Sequence, residues 1–113
     1  KVGNETKMNM YKMTMPGRFF VQQFIRKAVN AKCDYIIIES TSQGVLQFRH
    51  KFIQSNSLIF TNLSPEHIES HGSYEKYRGA KLEYVKALEK SNKKRKILIV
   101  NADDKEAPVF LKN

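Results

Sequence analysis

The sequence predicts an α/β fold of three layers, in which helices flank a mostly parallel sheet. A chain of 113 residues is long enough for one hydrophobic core and too short for two, so we expect a single domain over residues 1–113. Short apolar runs rich in β-branched residues alternate with longer segments of helical periodicity. This alternation is typical of parallel strands joined by right-handed helical crossovers.

Two segments have the apolar spacing of amphipathic helices. In residues 18–32 the apolar side chains recur at intervals of three and four, which places them on one stripe. Ser73 is a favourable N-cap for a second helix over residues 73–90. A shorter helix is expected over residues 64–72, because Ser64-Pro65 has the composition of a helix start and Gly72 that of a helix end.

Three apolar runs predict strands, at residues 34–39, 57–61 and 96–100. The first contains an unbroken Tyr-Ile-Ile-Ile sequence, which is typical of a parallel strand buried on both faces. It stops at Glu39, and we expect a loop over residues 40–44. A short irregular helix, or a turn and a strand, is expected over residues 45–52, and residues 104–112 could begin a final helix.

The formal net charge of +9 favours an anionic partner, either a nucleic acid or a phosphorylated small molecule. The densest basic cluster, residues 93–96, fits a solvated loop between a helix and a strand. No aromatic residues interleave with these lysines, and no recognition-helix or zinc-finger spacing is present. Nucleic-acid binding is therefore not favoured.

The sequence also argues against a membrane protein. No apolar run approaches the roughly 18–20 residues of a membrane span, and the polar, Met-rich start lacks the pattern of a signal peptide. The single cysteine, Cys33, cannot form an internal disulfide, and its apolar neighbourhood favours a buried structural thiol. We expect a cytoplasmic protein.

Lys81 has an unusual position in the second predicted helix. On a 3.6-residue period it falls at the centre of the apolar stripe that includes Tyr77 and Tyr84. If the amine is buried, its pKa should be depressed, and the neutral amine can react with carbon dioxide to give a carbamate that binds a metal ion. Alternatively, the stem packs between the tyrosines while the ammonium group stays in water.

Two further residues follow the predicted strands. Glu39 ends one strand, and a carboxylate at that place either caps a helix or binds a cation. His67 follows the carboxyl end of the next strand; an isolated histidine is commonly a surface residue, but this position also suits a ligand. Glu39, His67 and a carbamate on Lys81 would form a ligand set suited to Mg²⁺, which prefers oxygen.

Several motifs together resemble the central domain of the Mur ligase family, and within it the UDP-N-acetylmuramoyl-tripeptide synthetase branch. The resemblance covers about residues 13–108 and rests on segments that occur in the family's order: Glu39-Ser-Thr-Ser-Gln-Gly44 with Gln47 and Arg49, Phe60-Thr-Asn-Leu-Ser-Pro-Glu-His67, His71-Gly72, Gly79-Ala-Lys81 and Asn101-Ala-Asp-Asp104. The fold implied is a partial P-loop NTPase-like central domain.

The resemblance implies an ATP-dependent ligase of peptidoglycan synthesis. Such an enzyme converts the carboxylate of a UDP-N-acetylmuramoyl-peptide to an acyl phosphate, which the amine of an amino acid then attacks. Mg²⁺ neutralises the phosphates of ATP, and Glu39, His67 and a carbamylated Lys81 match the residues that hold it. The substrate-binding positions of the family match Thr14, Thr41, Gln47 and Arg49.

The chain departs from the family pattern in ways that affect these roles. Met15 follows Thr14 where a second threonine is usual, Thr41 replaces a serine, and Gln43 stands where histidine is common. We interpret Asn101-Ala-Asp-Asp104 as mainly structural, with a further role near the nucleotide open. The phosphate loop Gly-x-x-Gly-Lys-Thr and the family's N- and C-terminal domains are absent, so we expect the chain alone to be inactive towards ATP.

Two other functions remain open from the sequence. Folylpolyglutamate and cyanophycin synthetases use related central domains, although Gln47 and Arg49 after Glu39 favour the muramyl branch. The positive charge and the missing phosphate loop also fit a non-catalytic α/β module that binds anions or RNA. Finding the phosphate loop just upstream in the encoding gene would decide for the ligase.

Overall fold

A computed structural model describes residues 1–7, 13–64 and 68–112. Over these residues it contains five helices and two strands, in an α/β arrangement with a parallel two-stranded sheet and flanking helices. The chain divides into two compact units, Lys1–Lys51 and Phe52–Asn113. Of the helices described, none combines the length and the apolar composition needed to cross a membrane.

The first unit contains two helices, α1 at Arg18–Asn30 and α2 at Ser42–Leu46. The predicted apolar stripe of α1 is confirmed at Val21 and Ala28, which are buried, whereas Val29 is 55% exposed. The chain leaves α1 through Lys32, whose φ of 53° is in the left-handed region and therefore stops the helix. Helix α1 thus begins and ends close to the predicted bounds.

The predicted strand over residues 34–39 is wrong. Residues 35–39 belong to no helix or strand, and the side chains of Tyr35 and Ile37 are 87% and 90% exposed. β-branched composition favours extended backbone, but a strand also needs a neighbour that pairs with its N–H and C=O groups. Within residues 1–7 and 13–51 the structure describes no β-strand that takes that place, so the segment forms no sheet there.

Helix α2 begins inside the segment that was predicted to be a loop. Thr41 is its N-cap, and the Thr41 hydroxyl accepts a hydrogen bond from the Gly44 amide at 3.1 Å. A capping hydroxyl satisfies one of the unpaired N–H groups of the first turn, which favours a helix even in a polar sequence. Residues 47–52 form turns with positive φ at Phe48 and Phe52, so of the two predicted alternatives for residues 45–52 the strand is not formed.

The second unit is built around two parallel strands, β1 at Ser57–Phe60 and β2 at Ile97–Val100. Ser57 pairs with Ile97, and the register continues to Phe60 opposite Val100. Between the strands lie α3 at Ile68–His71 and α4 at Tyr74–Glu89, and the last helix, α5, is Ala107–Leu111. The predicted order of strand, helix, strand and helix is confirmed in this unit.

The core of the second unit lies between β1, α4 and α5. Its buried members are Phe60, Leu63, Tyr77, Val85 and Phe110. The rings of Phe60 and Phe110 stack with their centroids 3.8 Å apart. This stacking fixes α5 against the carboxyl end of β1, where the predicted site residues begin.

Helix α4 begins as the sequence predicts. The hydroxyl of Ser73 accepts a hydrogen bond from the Lys76 amide at 3.2 Å, and Gly72 before it has a φ of 80°, which favours glycine. Hydrogen bonds from its own backbone amide and from Ser73 lower the pKa of Glu75 in the same turn. A carboxylate here also interacts favourably with the helix dipole.

Candidate functional site

The predicted site residues are divided between the two units. Thr14, Glu39, Thr41, Gln47 and Arg49 belong to the first unit, and Lys81 belongs to the second. His67, together with the predicted helix start at Pro65, lies outside the described residues. Each unit brings together its own set of these residues.

In the first unit, Arg49 connects the segment around Thr14 with the end of α2. Its guanidinium donates hydrogen bonds to the backbone carbonyl of Met15 and to the side-chain oxygen of Gln47. The other neighbour of Thr14, Met13, has its sulfur 3.3 Å from an Arg49 nitrogen. The segment around Thr14 is therefore held beside Gln47 and Arg49, although it lies far from them in the sequence.

Helix α2 positions two of the predicted substrate-binding residues, Thr41 and Gln47. Thr41 is the N-cap and Gln47 the C-cap of this short helix, so the two predicted substrate contacts flank it. The cap bond to Gly44 orients the Thr41 hydroxyl. Glu39 lies two residues before Thr41 and is exposed, so its carboxylate is open to solvent. Within residues 39–49 the first unit thus presents a carboxylate at Glu39, a hydroxyl at Thr41, an amide at Gln47 and a guanidinium at Arg49.

In the second unit, Lys81 lies on the face of α4 that contains the buried Tyr77 and Val85. It is half-buried, and its ammonium nitrogen lies 5.9 Å from the centroid of the Tyr77 ring. The predicted position on the apolar stripe is confirmed. A stem packed beside the aromatic ring is also what the alternative interpretation requires. The depressed pKa and the carbamate stay predictions.

The loop after β1 is fixed by residues that follow β2, a feature that the sequence did not reveal. The backbone amide of Asn101 donates to the Phe60 carbonyl at 3.0 Å, and its side-chain amide donates to the Thr61 carbonyl at 2.9 Å. Asp104 accepts a hydrogen bond from the Leu63 amide at 2.8 Å. The clustering of Asn and Asp after β2 was the only sequence signal for this arrangement.

Glu106 joins α4 to the same region. It is 7% exposed, accepts a hydrogen bond from the Tyr74 hydroxyl at 3.0 Å and forms an ion pair with Arg78 at 3.2 Å. A buried carboxylate is stable when hydrogen bonds and an opposite charge compensate its lost hydration, and Glu106 has both. Nothing in the sequence distinguished Glu106 from a surface residue.

The pKa of Tyr74 is raised, first by burial and then by its hydrogen bond to Glu106 and by the negative charges of Glu106 and Asp104. The folded state therefore favours the neutral hydroxyl. This contribution to stability is fully present below the pKa of an unfolded tyrosine, about 10, and is lost as pH rises through the higher folded-state value.

We expect the free energy of unfolding to fall more steeply above pH 10 in the wild type than in a Tyr74→Phe variant, which has no hydroxyl to ionise. Urea unfolding followed by circular dichroism at a series of pH values from 8 to 11 measures this difference. Lysine titration is common to both proteins and cancels in the comparison. Identical slopes for the two proteins would contradict the assignment.

The predicted metal ligands are a carboxylate, an imidazole and a carbamate. No group of three His, Cys, Asp or Glu side chains within residues 1–7, 13–64 and 68–112 is arranged to hold a metal ion. The proposed set draws on Glu39, Lys81 and His67, and the last lies outside those ranges. By donor chemistry the set fits Mg²⁺, because a carboxylate and a carbamate both supply oxygen. The metal site stays a prediction.

Comparisons with known proteins agree with the resemblance. The sequence model of the family described as the Mur ligase middle domain matches residues 2–113. The chain is 33% identical over 119 residues, covering 98% of its length, to a UDP-N-acetylmuramyl-tripeptide synthetase of Roseiflexus sp.. It is 34% identical over 99 residues, covering 88% of its length, to a UDP-N-acetylmuramoyl-L-alanyl-D-glutamate–2,6-diaminopimelate ligase of Buchnera aphidicola.

The matched region is a small part of these relatives. It spans 23% of the Roseiflexus protein and 19% of the Buchnera protein. A second tripeptide synthetase, from Oceanobacillus iheyensis, is 34% identical over 91 residues, which cover 80% of this chain and 18% of that protein. The chain therefore spans about a fifth of the length of the curated relatives that it matches.

Proposed function

Because the chain belongs to the Mur ligase family, whose middle domain it matches from residue 2 to residue 113, we propose that it is part of an ATP-dependent ligase of peptidoglycan synthesis. The reaction is the addition of an amino acid to a UDP-N-acetylmuramoyl-peptide through an acyl phosphate. The match over nearly the whole chain is the observation that carries this proposal. The names of the relatives, which act on UDP-N-acetylmuramoyl compounds, support the substrate class.

The grouping of Thr14, Gln47 and Arg49 in the first unit supports a role in holding that substrate. Arg49 is suited to a phosphate or a carboxylate because its planar guanidinium can donate two parallel hydrogen bonds. Its bonds to Met15 and Gln47 hold the guanidinium in place before the substrate arrives. A guanidinium that is already oriented loses less conformational entropy on binding.

Glu39, His67 and a carbamylated Lys81 are the residues proposed to hold Mg²⁺. When bound, the ion neutralises charge on the phosphates of ATP, which a phosphoryl transfer requires. The contribution of the chain is to present these ligands and to orient the muramoyl substrate. Lys81 is half-buried on the face of α4 that contains Val85, and burial favours the neutral amine, which is the form that takes up carbon dioxide.

The proposal is tested with the full-length product of the gene that encodes this chain. We expect release of ADP that depends on Mg²⁺, on UDP-N-acetylmuramoyl-L-alanyl-D-glutamate and on an amino acid from a panel that includes 2,6-diaminopimelate. Mass spectrometry should detect the extended peptide. The 113-residue chain alone should not hydrolyse ATP. Release of ADP without any dependence on the muramoyl substrate would contradict the proposal.

The same assay separates the alternatives. A folylpolyglutamate or cyanophycin type of ligase would respond to folate or to an Asp-Arg polymer instead of the muramoyl compound. An anion- or RNA-binding module would release no ADP under any of these conditions. The exposed basic residues 93–96 favour that last function only weakly, since the Lys96 amine donates to the Glu89 carbonyl at 2.7 Å and so stabilises the end of α4.

A further inference from the structure

The connection between α4 and β2 is strongly basic. We call residues 90–96 the basic loop. No acidic residue lies between Glu89 and Asp103 in the sequence. The five basic residues of the loop are all exposed: Lys90, Lys93, Lys94, Arg95 and Lys96. The loop therefore concentrates positive charge in a stretch of chain that has no negative charge of its own.

The backbone of the basic loop is fixed by the segment that precedes β1. The Ser91 hydroxyl donates to the Ser55 carbonyl at 2.8 Å, and Ser91 is 6% exposed. The Asn92 amide donates to the side-chain oxygen of Gln54 at 2.9 Å. Because these bonds order the backbone, the loop presents its charges without the loss of entropy that a disordered segment incurs on binding.

The charges at the centre of the basic loop have no partner in the described part of the chain. The Lys96 amine donates to the Glu89 carbonyl at 2.7 Å, at the end of α4, where a positive charge is favourable. The side chains of Lys93, Lys94 and Arg95 form no ion pair or hydrogen bond within residues 1–7, 13–64 and 68–112. Because the helix dipole acts over the last turn only, stabilisation of α4 does not account for these three cations.

An exposed aromatic ring belongs to the same edge of the second unit. The side chain of Phe52 is 81% exposed. Phe52 precedes Gln54 by two residues, so their Cα atoms are at most roughly 7 Å apart, and Gln54 binds the basic loop. Basic side chains combined with an exposed apolar ring are typical of surfaces that bind at the interface of a lipid bilayer.

The composition of this surface favours a lipid bilayer over a partner whose groups are fixed in place. Four of the five cations are lysines, which act as mobile point charges, whereas arginine is the residue suited to bidentate recognition of phosphate. Lysine is also depleted from the cores of protein interfaces. A single ring is not a platform on which successive RNA bases stack. A bilayer requires no fixed geometry, because its anionic headgroups rearrange around the cations.

We propose that the basic loop and Phe52 bind the protein reversibly to the surface of an anionic lipid bilayer, with the cations at the headgroups and the ring at the acyl boundary. Both precede the strands β1 and β2, whereas the loop after β1 and residues 101–104 follow the carboxyl ends of the strands. The four residues of β2 separate these two edges by roughly 13 Å. The bound protein therefore keeps the carboxyl edge of its sheet open to solvent. Binding at the opposite edge does not depend on the proposed ligase activity.

Co-sedimentation with vesicles tests this surface. The 113-residue chain should sediment with vesicles of equal parts phosphatidylglycerol and phosphatidylcholine, and not with vesicles of phosphatidylcholine alone. Binding should weaken as NaCl is raised, because salt screens charges at an exposed surface. Failure to bind the anionic vesicles, or equal binding to both kinds of vesicle, would overturn the proposal.

Replacing Lys93, Lys94 and Arg95 together by glutamine tests the charge. This loop variant keeps Ser91 and Asn92, and with them the bonds that fix the backbone. Each basic side chain near an anionic surface contributes about fivefold to the affinity, so the loop variant should bind the anionic vesicles about 100-fold more weakly. An unchanged affinity would overturn the proposal.

The matched control replaces Lys76, Lys105 and Lys112 by glutamine. These lysines are exposed on the same unit, so the control loses the same charge outside the basic loop. It should bind the anionic vesicles within about threefold of the wild type, because screening weakens the contribution of charges far from the bilayer. An equal loss in the control and the loop variant would show that net charge alone drives binding, and would overturn the assignment to the loop.

Phe52→Asn tests the ring. Phe52 has a φ of 66°, in the left-handed region, which asparagine tolerates better than most residues. Loss of the apolar ring should weaken binding to the anionic vesicles about tenfold. The dependence on NaCl should stay the same, because the ring carries no charge. An unchanged affinity would exclude the ring from the interface and overturn the proposed surface.

Nucleic acid is the competing partner, and a competition experiment distinguishes it from lipid. Single-stranded RNA of mixed sequence is added to the chain bound to anionic vesicles, at a concentration of nucleotide phosphate equal to that of the anionic lipid. The chain should stay on the vesicles. Displacement by RNA from the wild type would show that the basic loop prefers the phosphates of a nucleic acid, and would overturn the proposal.

Discussion

Replacing Phe110 by alanine is expected to lower the free energy of unfolding by about 3–5 kcal/mol, the range for truncating a fully buried aromatic residue. Phe110 is 1% exposed, and its ring stacks on Phe60. Removing the ring takes away this contact and leaves a cavity that the neighbouring side chains can fill only in part. The loss is large compared with the roughly 5–15 kcal/mol that stabilises a typical domain.

Urea unfolding followed by circular dichroism measures this loss. Leu111→Ala is the matched control, because Leu111 is the next residue of α5 and is 63% exposed. Its truncation should change stability by no more than about 0.5 kcal/mol. Phe110→Leu keeps most of the apolar volume and should cost about 1 kcal/mol, which provides a measurable variant if the alanine protein does not fold. Similar losses for Phe110→Ala and Leu111→Ala would contradict the assigned core.

The parts of the fold that depend on local sequence were predicted well. Helix α4 is an example. Ser73 supplies a capping hydroxyl, Gly72 before it has left-handed backbone, and the apolar spacing defines the buried face of the helix. Each of these signals acts within one or two turns of the chain. The strands β1 and β2 were found for a similar reason, because their apolar runs are short and bounded by polar residues.

The predicted strand over residues 34–39 failed because pairing is not a local property. Its composition favours extended backbone, but residues 35–39 belong to no strand, and Tyr35 and Ile37 are exposed. A buried strand requires a partner on each side, and the residues that would provide it are not specified by the run itself. The apolar run therefore predicted a strand, but it could not supply the neighbouring strands that would pair with it and bury it.

The same distinction applies to the candidate site. The grouping of Thr14 with Arg49 and the bond between Leu63 and Asp104 connect residues that are far apart in the sequence. Composition indicated that polar residues follow each strand, but it could not indicate which backbone groups they bind. Glu106 shows the limit most clearly, since its burial depends on Tyr74 and Arg78, which lie on a different helix.

Replacing Lys81 is expected to have the largest effect on activity. Under the proposed function, we expect Lys81→Ala and Lys81→Arg to lower the turnover of the full-length protein by about 10²–10³-fold, the usual cost of removing one group that stabilises transition-state charge. Lys81→Arg tests the carbamate more directly than Lys81→Ala, because arginine keeps a long stem and a positive charge beside Tyr77. Its guanidinium does not deprotonate and therefore cannot form a carbamate.

Lys86→Ala is the matched control, since Lys86 is exposed on the same helix and forms a surface ion pair with Glu83 at 2.8 Å. Such pairs contribute little, so turnover should stay within about twofold of the wild type. A Lys81→Arg enzyme with normal turnover would show that the packed stem and the charge suffice. That result would remove Lys81 from the metal site and favour the alternative, in which the stem packs beside Tyr77 and the ammonium group stays in water.

A direct measurement distinguishes the chemistry from the packing. In the carbamate reaction, the lone pair of the neutral Lys81 amine forms a bond to the carbon of CO₂, one C=O π bond opens, and a proton is released to solvent. The 113-residue chain in ¹³C-labelled bicarbonate should therefore show a carbamate carbon resonance that is missing from Lys81→Arg and present in Lys86→Ala. Mg²⁺ should strengthen that resonance, because a bound cation stabilises the carbamate anion. An ammonium group packed against Tyr77 would give no carbamate signal with or without Mg²⁺.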